Sequence, residues 1–276
     1  MNNILSLFKR SIQVALSIIA GISTIAGLLG YTIRDAYPNQ QWWTYGLIML
    51  LILLILTIIS CIFIFVFQNY RKHKPYETTI NGKSVKIKIG NIFDEPDWKV
   101  IPFNERYDTK VDDIIISHRS LNGLMIDNYV NDLNELNEII KSSAADNSPY
   151  KASQIEGHNI YPLGRIISYK SFLLLSFSHF DIQNRAYIEF GEYEQLLFRM
   201  WSELRRVYAG KPISIPLIGS GITTIYGIAE KNYTELLKCI LCTLRNSKFQ
   251  PYNGINIILP KDVIDQIDMN IIRKDF

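Results

Sequence analysis

The residues best suited to chemistry lie in Ile213-Ser214-Ile215-Pro216-Leu217-Ile218-Gly219-Ser220-Gly221-Ile222-Thr223-Thr224. A β-branched apolar run leads into Gly219-Ser220-Gly221, and a helix-like pattern follows. Such a layout suits anion binding: a strand delivers the chain, glycines let the backbone approach a phosphate, and amides opening the next helix point at it. Ser220, Thr223 and Thr224 add hydroxyl donors, and Ile222 continues the loop. There is no Lys-Ser/Thr ending as in a Walker loop and no third glycine as in a dinucleotide fingerprint. The motif therefore fits a phosphate without naming the molecule, and a plain strand-to-helix turn remains the alternative.

A second turn of related form is Ser120-Leu121-Asn122-Gly123-Leu124-Met125. Two such turns suit the two phosphates of a diphosphate. Further polar or aromatic residues end predicted strands at Asn91, Asn104 and Phe180, where ligands of α/β sheets bind. Turn stabilisation is the competing role for each asparagine. A hydrolase would need a positioned base or activated water. Asp112, Asp113 and His118 lie near the second turn, but their spacing demands no catalysis, and they read as solvated loop residues. Catalytic residues and a resident cofactor are not expected. Nor is a metal: Cys239 and Cys242 form a C-x-x-C, but the four histidines show no partnered ligand spacing. Three-residue spacing on a helix packs both thiols as small hydrophobes, and three cysteines make no disulfide framework.

The elements that position these residues follow from apolar periodicity. Strands are expected at 85–89, 99–103, 112–117, 164–169, 171–177, 213–218 and 254–259. Helices are expected at about 126–141, 192–207 and 226–245, the last with Ala229, Tyr233 and Leu236 inward. Residues 142–157 read as a loop and 72–77 as a linker. Strands alternating with helices predict an α/β sandwich with a largely parallel or mixed central sheet.

Before this domain, Ile12–Tyr31 and Leu47–Phe67 are 20 and 21 residues without a charge, each long enough to cross a bilayer. A second span after a short turn containing Pro38 and Asn39 argues against a signal peptide. Residues 1–74 hold six basic residues against Asp35, which leaves 23 basic and 25 acidic residues in 75–276. The net charge of +3 thus belongs to the membrane flanks, and a nucleic-acid-binding face is not expected. Lys9, Arg10, Arg71, Lys72 and Lys74 place both termini in the cytoplasm, with Trp42, Trp43 and Tyr45, joined by Tyr31 and Tyr37, at the outer interface. The first span is rich in small residues at four-residue spacing: Ser17/Gly21, Ser23/Gly27 and Ala26/Gly30. They suit either self-association or packing of the two spans within one chain. Neither span contains an ionisable Asp, Glu, Lys or Arg, against a transporter or pump.

The domain at 75–276 resembles the macro domain, an ADP-ribose-binding three-layer α/β/α fold. Ile89-Gly90-Asn91-Ile92 is similar to the macro Gly-Asp-Ile segment, whose Asp holds the adenine amino group; here the position is Asn91. Ile101-Pro102-Phe103-Asn104 is similar to the strand whose Asn lies beside the distal ribose, and Leu217–Ile222 to the second phosphate loop. The first phosphate loop of the family is richer in glycine than Ser120–Met125. The whole layout, a hairpin of 1–74 before a divergent macro domain, resembles the membrane-anchored macro-domain effectors of type II Thoeris anti-phage defence, through IPFNERYDT (101–109), SLNGLMI (120–126) and PLIGSGIT (216–223). The resemblance implies a non-enzymatic sensor of histidine–ADP-ribose made from NAD by a partner TIR enzyme. It also implies ligand-driven homo-oligomers whose spans damage the cell membrane lipid and cause abortive infection. By the same resemblance, Gly219–Thr223 would hold one phosphate, Ser120, Asn122, Gly123 and Leu124 the other, Asn104 the ribose, and Phe180 a base or ribose. A membrane-anchored ADP-ribose hydrolase is the alternative.

Overall fold

A computed structural model describes residues 2–28, 32, 35, 38, 41–155, 157–228 and 232–276. The chain divides into two compact units, Met1–His73 and Lys74–Phe276. The first holds α1 (Asn2–Leu28) and α2 (Trp42–His73). Within them Phe8–Leu28 and Trp43–Phe67 are long and apolar enough to cross a membrane. The first stretch thus begins four residues before Ile12; Tyr31, Tyr37, Asn39 and Gly30 lie outside the described residues. Among the described residues of this unit the buried positions are small or hydroxylated: Ser11, Ala15, Thr57 and Ser60. Ser17, Gly21, Ser23 and Gly27 are exposed, so most of the small-residue stripe lies off the packed face. The hydroxyls of Ser17, Thr24 and Thr57 donate to carbonyls four residues back (2.9, 2.8 and 2.7 Å), which satisfies them without water.

In the second unit β1 (Tyr76–Ile80) and β2 (Lys83–Ile89) form a hairpin. Then come β3 (Trp98–Asn104), α3 (Leu121–Tyr129), α4 (Leu133–Ser143), the small β4–β5 hairpin (Ser153–Ile155, His158–Ile160), β6 (Ile166–Tyr169) and β7 (Phe172–Phe180). After β8 (Ala186–Glu189) and α5 (Phe190–Val207) follow β9 (Ile213–Pro216), β10 (Thr224–Tyr226), α6 (Tyr233–Asn246), β11 (Ile255–Leu259), α7 (Lys261–Ile264) and α8 (Met269–Asp275). The sheet order is β1-β2-β11-β9-β3-β7-β8-β10, with β6 also on β7. β2, β11, β9, β3 and β7 run parallel, so their carboxyl ends share one edge; β1, β6 and β8 enter antiparallel to their partners, which makes the sheet mixed.

Helices cover both faces of the sheet. On β7, Leu173, Leu175 and Phe177 join one core with Leu197, Met200, Trp201 and Ile240 of α5 and α6. Phe172 and Leu174 join the other, with Met125, Leu136 and Ile140 of α3 and α4. A strand apolar on both faces is what a sheet covered on both sides requires. This is the expected three-layer α/β/α fold.

Four expected elements differ, one of them the loop expected at 142–157, which holds the end of α4 and the short strand β4 (Ser153–Ile155). The run 126–141 is two helices, because Asp132 breaks it: its carboxylate accepts from the amides of Asn134 (2.9 Å) and Glu135 (3.4 Å) and caps a new helix. Residues 112–117 form a turn held by Asp112, with Val111 and Ile116 making only an isolated bridge. The expected helix from Tyr226 starts at Tyr233 instead, capped by Asn232; Thr224–Tyr226 pairs with β8, where β-branched and aromatic residues suit an edge strand. Ala229 lies outside the described residues. The linker region is short, since α2 runs to His73 and β1 begins at Tyr76.

Candidate functional site

The carboxyl ends of the five parallel strands open onto one cleft of about 800 Å³. Across the sheet the order of segments entering it is Asn91 after β2, Pro260 and Asp262 after β11, the glycine loop after β9, Asn104 at the end of β3, and Phe180 at the end of β7. Four interstrand steps of about 4.8 Å make this row about 19 Å long.

The glycine loop is held from behind. Ser220 N–H donates to Leu217 O at 3.1 Å, buried Tyr193 donates its hydroxyl to Ile218 O at 2.9 Å, and Tyr233 reaches Ser220 O at 3.5 Å. Gly219 has φ +87°, a conformation that favours glycine, and a Cβ there would lie 2.7 Å from Ile225 Cδ1, so the end of that side chain would have to shift. A Cβ on Gly221 would meet nothing within 4 Å. Ile222 is exposed, Thr223 is buried, and Thr224 already belongs to β10. No helix opens directly behind this loop, so an anion there would be met by the loop's own amides rather than by a helix end.

The second turn does start a helix. Ser120 caps α3: its hydroxyl donates to Ser117 O at 2.6 Å and accepts from Gly123 N–H at 3.2 Å. That hydroxyl is committed to the turn. Gly123 and Leu124 do not line the cleft, and Leu124 N–H bonds Ser120 O at 2.9 Å within the helix. A Cβ on Gly123 would sit 2.2 Å from Ser117 O, so this glycine serves close packing. Asn122 and Ser120 do line the cleft.

The asparagines have local partners as well. Asn91 Oδ1 accepts from Phe93 N–H at 3.1 Å and caps a short 3-10 turn, Ile92–Asp94. Buried Asn104 accepts from the amides of Arg106 (3.0 Å) and Asp108 (3.2 Å) and donates to Asp108 Oδ2 (2.9 Å). It shapes the bend after β3 while lining the cleft.

The residues weighed for hydrolysis are engaged in their loop. Asp112 is held down at about 2 by the amide of Ile115, then by Lys110 and the amide of Ile114. Asp113 lines the cleft, but its carboxylate accepts from His118 N–H at 3.0 Å. His118 Nδ1 donates to Asp127 at 2.7 Å, which raises its pKa, and the ring is not among the cleft-lining residues. Burial pushes the Cys239 thiol up to about 12, as expected of a packed rather than reactive cysteine.

Among the cleft residues that had no signal in the sequence are two charged ones without a side-chain partner among the described residues. Arg119 sits between the Asp113 turn and the Ser120 cap, exposed, and its guanidinium has no partner among the described residues. Asp262, exposed three residues beyond the end of β11, is the other. A lone charge in a loop becomes visible only when the fold aims it.

Behind Phe180 lies a charged cluster. His179 Nδ1 donates to Glu105 at 2.6 Å, its Nε2 lies 3.4 Å from Glu192, and its ring is 5.5 Å from that of Tyr187. The hydrogen bond to Glu105 raises the His179 pKa against the effect of burial, with Glu192 adding to the rise. A folded pKa above the unfolded value, about 6.5, gives stabilisation that is complete below that pH and lost as pH rises through the folded pKa. Thermal unfolding from about pH 5 to 9 should therefore show the advantage of the native chain over His179→Gln shrinking as pH rises. A constant difference would deny the linkage.

Residues 85–260 match the family model described as the macro domain of Thoeris protein ThsA. Over 272 residues the chain is 33% identical to the Thoeris protein ThsA of Bacillus amyloliquefaciens (strain Y2), covering 92% of this chain and 85% of that one. Among solved structures it is similar to a mutant of the Oceanobacillus iheyensis macrodomain (TM-score 0.46, 15% identity, 73% of this chain and 99% of that one). The same macrodomain solved with ADP gives 0.45 and 14%, over 73% and 98%. With a family match over most of the domain and a relative aligned along nearly the whole length, the chain belongs to the Thoeris ThsA macro-domain family.

Proposed function

We propose that this protein is an anti-phage defence effector whose macro domain senses an ADP-ribose-derived signal, histidine–ADP-ribose made by a partner TIR enzyme, and whose N-terminal helices then disrupt the cell membrane. The observation that carries this reading is the row of strand ends along one cleft, about 19 Å long, with an anchored glycine loop at its middle. An extended nucleotide diphosphate has that length and that central charge. Arg119, unpaired among the described residues, adds a cation for a phosphate. The engaged hydrogen-bonding groups of Asp112 and Asp113, and the absence of His118 from the lining, favour binding over hydrolysis.

Positive flanks put both termini in the cytoplasm. The exposed positions Ser17, Gly21 and Gly27 suit close approach of a helix from another copy. Ligand drives assembly only by binding the assembled state more tightly.

Calorimetric titration of the full-length chain in detergent with ADP-ribose and histidine–ADP-ribose, with oligomeric state measured alongside, tests the reading. Tight binding of the conjugate, growth of the assembly and no turnover are expected. Turnover would favour a hydrolase, and binding of neither would remove the nucleotide reading. Arg119→Ala is expected to weaken binding about tenfold and to flatten its dependence on salt. An unchanged affinity would remove Arg119 from the site.

A further inference from the structure

The end of the cleft past Phe180 is made by the turn that joins β7 to β8. His179 and Phe180 of β7 pair antiparallel with Tyr187 and Ala186 of β8, so residues 181–185 stand beyond the last of the parallel strand ends. Asp181 builds this turn. Its Oδ1 accepts from the amides of Gln183 (2.8 Å) and Arg185 (2.9 Å), and its own amide donates to Arg185 O at 3.1 Å. Its Oδ2 accepts from Arg185 Nε at 2.7 Å, and Arg185 Nη2 donates to Gln183 Oε1 at 3.1 Å. A guanidinium has five N–H groups, and these two bonds occupy two of them. The other three, both on Nη1 and one on Nη2, have no partner among the described residues. The Arg185 side chain is thus anchored through Nε while donors remain open, and Gln183, Arg185 and Ala186 line the cleft.

The charges of the lining set this end apart. Among the described residues its acids are Asp113, in the turn before α3, and Asp262, after β11; neither belongs to the β7–β8 turn. Asp181 is not in the lining, and both its oxygens are engaged by the turn. A guanidinium held in this way recognises a carboxylate or a phosphate. The phosphates of an extended nucleotide diphosphate fall at the glycine loop, in the middle of the row, which leaves a carboxylate as the anion for the far end. We propose that Arg185, oriented by Asp181, takes the carboxylate of a group attached beyond the ribose of the ligand, so that the cleft selects a carboxylate-bearing conjugate. This assignment rests on the reading of the cleft as a nucleotide site, and it adds the residue that tells one conjugate from another.

The test uses the full-length chain in detergent. Its probes are ADP-ribose, histidine–ADP-ribose and histamine–ADP-ribose, the last lacking only the carboxylate of the histidine conjugate. The Arg185 side chain is 74% exposed, so the native chain is expected to prefer the histidine over the histamine conjugate by about three- to tenfold. Arg185→Ala should reduce that preference below about twofold and change the affinity for ADP-ribose less than about twofold, which also reports that the cleft is still folded. Arg185→Lys serves as a second variant: it keeps the charge but not the guanidinium that bonds Asp181 and the ligand together, and should retain only part of the preference. If the native chain binds the histidine and histamine conjugates equally, or Arg185→Ala keeps the native preference, the assignment is overturned while the nucleotide reading stands. If the native chain binds none of the three, the nucleotide reading fails and the assignment with it.

Discussion

Replacing Gly221 with leucine is expected to abolish ligand binding while leaving the fold intact. The backbone at Gly221 is outside the left-handed region, and a Cβ there enters open space, so the substitution should shift stability by no more than about 0.5 kcal/mol. That open space belongs to the cleft, at the loop expected to cradle a phosphate. A leucine side chain would displace the anion from the loop amides, and losing two charge-assisted hydrogen bonds at about 1.5–3 kcal/mol each lowers affinity by on the order of 100-fold or more. Gly219 is the contrasting control. Alanine there must adopt φ near +87° and push aside the buried Ile225 side chain. The backbone cost alone is about 1–2 kcal/mol, so Gly219→Ala should lower the unfolding temperature as well as weaken binding. Titration and thermal melts of both variants separate the two roles. A Gly221→Leu chain that melts normally and binds ADP-ribose or its histidine conjugate as the native chain does would remove the phosphate from this loop.

Much of the architecture was legible because parallel strands covered on both faces advertise themselves. Ile213–Ile218 and Ser171–Phe177 are apolar runs with little else to be, and their ends pointed to Asn91, Asn104, Phe180 and the glycine loop, all of which line the one cleft. Short edge strands were not legible. Ala186–Glu189 and Thr224–Tyr226 are four and three residues long; the first is a strand through β7 and β10, and the second through β8 alone. Helical spacing in Tyr233 and Leu236 extended readily backward over Thr224–Tyr226, and tertiary pairing overrode it. The Asp132 cap was hidden within an unbroken apolar period from Ile126 to Ile140. At the site, the sequence could place Ser120 at a turn but not show that its hydroxyl is committed to Ser117 and Gly123. Nor could it aim Arg119 or Asp262, because a single charged residue carries no periodicity.

The largest effect on stability is expected far from any predicted ligand group, at Glu203. Arg165 and Glu203 are each 1% exposed, 38 residues apart, and paired without a local sequence signal. Glu203 gathers donors from several elements: Arg165 of the turn before β6, Ile166 N–H of β6 (3.3 Å), Ser148 (3.1 Å) and Arg206 of its own helix (3.2 Å from both Nε and Nη2). Burial pushes its carboxyl up, but hydrogen bonds from Arg206 and Arg165 outweigh burial and hold it below the usual range. Among the described residues Arg165 keeps one other charged partner, the partly exposed Asp146, and its Nε has no hydrogen-bond partner. Glu203→Ala therefore strands a buried guanidinium and should cost about 3–5 kcal/mol, or about 10 °C in the unfolding temperature of a domain this size. Arg165→Met should cost less, because Arg206 still faces the Glu203 carboxylate. The double variant Arg165→Met/Glu203→Leu should recover much of the loss, since an apolar pair replaces the buried charges and leaves only Asp146 to regain water. None of these residues lines the cleft, so each variant that folds should bind ligand with native affinity. A Glu203→Ala chain melting at the native temperature would show that the network contributes nothing, and a double variant no better than Glu203→Ala would show that lost packing, not the stranded charge, sets the cost.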